Sequence, residues 1–108
     1  MKIKHLKEII IGDAKFQMKW DKKSDDGEFS YPWKKEKAFI RIGCRDEKHS
    51  IEHVLNVLIH ELKEIIQIEQ ATRFKRIDES CNYEFHYSHK EHTELCSRLA
   101  GLLSQFIK

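Results

Sequence analysis

His60-Glu61-Leu62-Lys63-Glu64 sets an imidazole and a carboxylate four residues apart, with a second carboxylate directly after the imidazole. On a helix, residues i and i+4 are surface neighbours, so His60 and Glu64 can reach one divalent ion. Imidazole nitrogen and carboxylate oxygen are both zinc donors. Glu61 would then be the base that takes a proton from an attacking water, the division of labour used in metal-assisted hydrolysis. A second store of imidazoles follows downstream, in His86-Tyr87-Ser88-His89-Lys90-Glu91-His92.

The helix that must carry the first group is legible from its apolar spacing. Ile51, Val54, Leu55, Leu58, Leu62, Ile65 and Ile66 recur at three- and four-residue intervals, the signature of one buried helical face. At roughly 100° per residue the apolar arc centres near Leu58. His60 and Glu64 fall just outside one edge of that arc. Glu61 falls inside it, close to the directions of Val54, Val57 and Ile68. A carboxylate at such a position is costly unless something uses or pairs it.

Zinc hydrolases typically employ three protein ligands and keep one position open, so a third donor is required. His89, at the opening of the last helix, is the preferred choice, with Glu91 and His92 as alternatives. His92 projects with Leu95 and Leu99, which also suits partly buried packing. His86, on the preceding strand, would stand behind the ligands or on the substrate side. His53 reads as a surface histidine. The plain alternative is that Glu64 pairs with Lys63 or a helical neighbour in a Lys/Glu-rich segment.

The remaining elements follow from period and turn signals. Lys7 to Ile11 ends at the turn residues Gly12-Asp13. Lys15 to Trp20 alternates Phe16, Met18 and Trp20 with polar residues, as a half-buried strand does. Asp21 to Pro32 has no periodicity and reads as a loop, one that leads into Phe29, Tyr31 and Trp33. Lys37 to Gly43 reads as another strand. Ser50 is a good N-cap for a helix running to about Gln70. Thr72 to Ile77 is a strand or a connection, with a turn near Asp78-Glu79-Ser80. Tyr83 to Tyr87 reads as a short strand, and a closing helix spans about 89 to 107, presenting Leu95, Leu99, Leu102, Leu103 and Phe106 to the core. The expected architecture is α+β: a small antiparallel or mixed sheet with two main helices, in one domain spanning 1–108.

Composition bounds the function. The 108 residues are 40% hydrophobic and 35% charged, with a net charge of +2, which suits a globular chain. The basic residues are diluted by acidic ones, and the Lys34, Lys35 and Lys37 cluster is interrupted by Glu36. This argues against a nucleic-acid partner. No stretch approaches a membrane span or a signal peptide. Cys44, Cys81 and Cys96 lie far apart with no C-x-x-C, so a reduced, cytoplasmic setting is the default.

With these residues in place, the chain resembles a minimal zincin-type metallopeptidase. It is similar to the single-domain minigluzincins and, more closely, to short phage-associated metallopeptidases with H-E-x-x-E or H-E-x-x-H helices. The matching residues are Leu58-Ile59-His60-Glu61-Leu62-Lys63-Glu64 and Ser88-His89-Lys90-Glu91, within about Lys37 to Phe106. The resemblance implies Zn2+ held by His60, Glu64 and His89, with Glu61 as the catalytic base and a peptide or protein as substrate. It also implies that the strand Lys37 to Gly43 lies beside the cleft as an edge. Glu64 departs from the histidine of better characterised relatives. An added carboxylate weakens Lewis acidity and admits other divalent metals. Tyr83, Tyr87 and His92 are candidates for stabilising an oxyanion, and the Phe29 to Trp33 segment for selecting substrate. Two rival expectations remain: a catalytically inactive zincin-fold binding module with a structural metal, and a metal-free interaction protein.

Overall fold

The computed structural model describes residues 2–31, 37–70, 73–75, 83–85 and 88–107. Strands β1 (Glu8–Ile11), β2 (Ala14–Asp21), β3 (Gly27–Ser30) and β4 (Phe39–Gly43) precede helix α1 (Ile51–Glu69). A short pair, β5 (Arg73–Lys75) and β6 (Tyr83–Phe85), leads to helix α2 (His89–Ser104). The result is a small α+β domain with a four-stranded mixed sheet of order β1-β2-β4-β3. β1 runs antiparallel to β2, β2 parallel to β4, and β3 antiparallel to β4.

Alternation decides which face of the sheet is covered. Ile9 and Ile11 of β1, Phe16 and Met18 of β2, and Ile40 and Ile42 of β4 are buried. Lys15, Gln17 and Lys19 lie on the opposite, solvated face, as the two-residue period requires. Val54, Leu58, Leu62, Ile65 and Ile66 of α1 pack into the covered face, joined by Leu95 of α2 and by Phe106. Truncating a fully buried residue such as Leu58 or Leu62 would cost about 2–5 kcal/mol.

The helix ends form where the capping residues stand. Ser50 caps α1 by accepting from the His53 N–H. Ser88 and Glu91 form a reciprocal capping box at the start of α2, which satisfies two otherwise orphaned donors. The Gln70 side chain, at the end of α1, donates to the Glu91 carbonyl at 2.9 Å and ties the two helices together.

Two expectations need correction. Asp21 to Pro32 is not all loop, because Gly27–Ser30 pairs with β4. Its Gly-Glu-Phe-Ser sequence carries a single apolar side chain, too few to show a period. The strand within Lys37 to Gly43 is interior, flanked by β2 and β3. The sheet edge on that side is β3. The turn placed near Asp78 to Ser80 lies outside the described residues.

Candidate metal and hydrolytic site

Helix phase brings His60 and Glu61 to the side of α1 that faces β3, with Glu64 one turn on from His60. His60 Nε2 and Glu64 Oε2 stand 3.6 Å apart, with the imidazole largely exposed and the carboxylate mostly covered. That separation is long for a charge-assisted hydrogen bond. It is close to the distance between two donors of one tetrahedral zinc, about 3.4 Å for bonds of about 2.1 Å. In donor type and in spacing, the pair fits a zinc ion.

Glu61 is only 4% exposed, although His60 beside it faces outward. The apolar phase of α1 forces this, and β3 completes the cover. Asp26, Gly27, Asn56, Val57, His60 and Glu61 line a cavity of about 280 Å³ between the edge strand and the helix. His53, read as a plain surface residue, donates from its ring to the Asp25 carbonyl at 2.8 Å. It pins the loop before β3 to the first turn of α1.

That loop is held by one cation. The Arg41 guanidinium donates to Asp21, Asp26 and Glu28 at 3.3, 3.0 and 3.0 Å, and to the Ser24 hydroxyl at 3.1 Å. The Ser24 hydroxyl, and after it Arg41, holds the Asp26 carboxyl below its ordinary pKa. Glu28 and Asp26 in turn push Arg41 upward. Sequence reasoning missed Asp26, Gly27 and Asn56 as lining residues. Nothing local marked them, since each reaches the cavity only through the β3–α1 approach.

The downstream residues fall out differently. His89 opens α2 and is exposed. The Glu91 carboxylate accepts from the Ser88 N–H at 2.9 Å, so its position is explained by capping. His92 is exposed instead of packed with Leu95, and its Nε2 lies 3.8 Å from Cys96 Sγ. Burial on α2 begins only at Leu95, because its first turn lies beyond the core. Among the described residues, no three His, Cys, Asp or Glu side chains gather around one point. The structure therefore pairs His60 with Glu64, sets Glu61 beside His60 on the cavity lining, and does not add His89, Glu91 or His92 to the pair. His86, Tyr87, Pro32 and Trp33 lie outside the described residues, as does the Tyr83 side chain.

Of the Phe29 to Trp33 segment, the described aromatic residues Phe29 and Tyr31 are partly buried against the core. Tyr31 meets Phe16 edge-on at 5.9 Å and donates to Glu69. Burial, and then the Glu69 charge, pushes the Tyr31 hydroxyl pKa upward.

No family model, curated protein or solved structure matches this chain. Among the described residues, no helix is long and apolar enough to cross a membrane.

Proposed function

We propose that this chain is a small zinc-dependent hydrolase, a peptidase built on a minimal zincin-like domain. The observation that carries it is a buried carboxylate, Glu61, lining a cavity beside a His60–Glu64 pair spaced as zinc donors are. His60 and Glu64 would hold the ion, with His89 or His86 as the third donor. A divalent metal there supplies a Lewis acid and an acidified water. Other divalent ions suit the carboxylate-bearing pair as well.

The chain's own residues do the rest. Glu61 accepts a proton from the attacking water and returns it to the leaving amine. An extended peptide would lie along the edge strand β3, pairing with outward-facing backbone groups. That places the scissile carbonyl over α1, next to the cavity. The role first assigned to the strand around Lys37 to Gly43 thus passes to β3.

The test is a screen of zinc-loaded protein against quenched fluorescent peptides, with Glu61→Gln as the control. Cleavage by the parent and its loss in the variant support the reading. Equal rates in both would overturn Glu61 as the base, and no cleavage of any peptide by the zinc-loaded parent would argue for a binding module.

A further inference from the structure

The edge strand reaches α1 at one residue that has no side chain. A Cβ built on Gly27 would stand 2.7 Å from Val57 Cγ1, and 3.1 Å from both Glu61 Cγ and the Arg41 carbonyl. Real side chains essentially never sit at the first distance, so any other residue here would push β3 or α1 aside. The same missing side chain bounds the cavity beside Glu61.

We infer that Gly27 is a positioning residue for Glu61: it lets β3 close over the helix while keeping open the space through which a substrate group meets the carboxylate. The inference rests on the proposed hydrolytic role of Glu61 for its meaning, but its geometry stands without metal. Val57 and Glu61 are four residues apart on α1, one turn along the same face, so an added methyl presses on both. The Arg41 clamp holds Asp26, the residue before Gly27, and limits how far β3 can retreat. The new methyl bears hardest on Val57 Cγ1 and next on the Glu61 stem, so the turn of α1 that carries both is displaced and Glu61 with it.

The direct test labels carboxylates of the metal-free protein with a water-soluble carbodiimide and an amine, mapping each site by mass spectrometry. In the parent, Glu61 is labelled through the cavity despite its burial. Gly27→Ala is expected to cut labelling at Glu61 several-fold while leaving Glu64 and Glu28 unchanged. Gly27→Ala with Val57→Ala, which removes the closest clash, restores it. Unchanged labelling in Gly27→Ala overturns the inference, as does a parent in which Glu61 is not labelled at all. Loss of labelling at all carboxylates alike would mark general rearrangement and also count against it. In zinc-loaded protein that cleaves a peptide, Gly27→Ala should keep the metal and lose roughly 10- to 100-fold in kcat, the scale of a misplaced catalytic group, with KM changed far less. Absence of metal or cleavage in the parent would sink the hydrolase reading alone, since the labelling needs neither.

Discussion

Two glutamates of α1, eight residues apart, each meet a glycine of the sheet, and the two contacts have opposite characters. At the C-terminal end, the Glu69 carboxylate occupies the space where a Cβ on Gly12 would stand. Arg98 donates to it at 2.5 Å and Tyr31 adds its hydroxyl. That carboxylate is spent on joining the β1–β2 turn, the end of β3 and α2. At the middle of the helix, only the Glu61 stem touches Gly27, and a cavity lies beside it with His60 on the rim. Both carboxylates are largely shielded, but one ties elements together and the other lines an opening beside a donor pair. Burial of an acid on a helix is therefore not enough to mark chemistry. What surrounds its oxygens decides.

Conservative amide substitutions should separate the two most widely. Glu61→Gln is expected to lower peptide hydrolysis by roughly 100- to 10,000-fold, the range of a lost general base, with folding stability falling less than in Glu69→Gln. Glu69→Gln should do the reverse, costing about 1–3 kcal/mol through a weakened ion pair and hydrogen bond while sparing turnover per folded molecule. Steady-state kinetics and urea denaturation of both variants check this. A stability loss in Glu61→Gln as large as that in Glu69→Gln would erase the distinction.

The glycines provide the next test. Gly12 has φ +60° in the two-residue turn between β1 and β2, a conformation that costs other residues roughly 1–2 kcal/mol. Gly12→Ala adds displacement of the Glu69 carboxylate, so its midpoint in urea should fall clearly. Gly27→Ala, at a position outside the left-handed region, carries no such backbone cost and should shift that midpoint less. The opposite order would contradict the packing described.

The smallest effect concerns pH. The Asp26 carboxyl is held below its ordinary value by Ser24 and Arg41. Its ionised form therefore adds stability at pH values above about 3.9, the unfolded value. That contribution is lost as pH falls through the lower, folded value. Asp26→Asn should make the acid limb of the stability profile shallower below about pH 4. An acid limb as steep as the parent's would show that Asp26 is not coupled to folding.

Much of the frame was legible in the sequence because it is local. Ser50 begins its helix where the capping chemistry predicts, and the phase of α1 places Glu61 among apolar residues before any tertiary contact is known. Phe16, Met18, Ile40 and Ile42 alternate as expected. What could not be read was set by contacts distant along the chain. β3 has one apolar side chain and exists through pairing with β4. The placement of β4 inside the sheet is a matter of strand order, which no local period encodes. His92 shares a helical direction with Leu95, yet it is exposed because the first turn of α2 precedes the core. Of the site, the residues on one helix were legible, and those supplied by the facing strand were not.

The central claim is that His60 and Glu64 hold a divalent metal beside Glu61. Elemental analysis of the purified protein after zinc is offered and excess is removed tests it most directly, alongside His60→Ala and Glu64→Ala. Close to one zinc per chain is expected in the parent, with its loss in both variants. No retained zinc in the parent, or equal zinc in all three proteins, would contradict it.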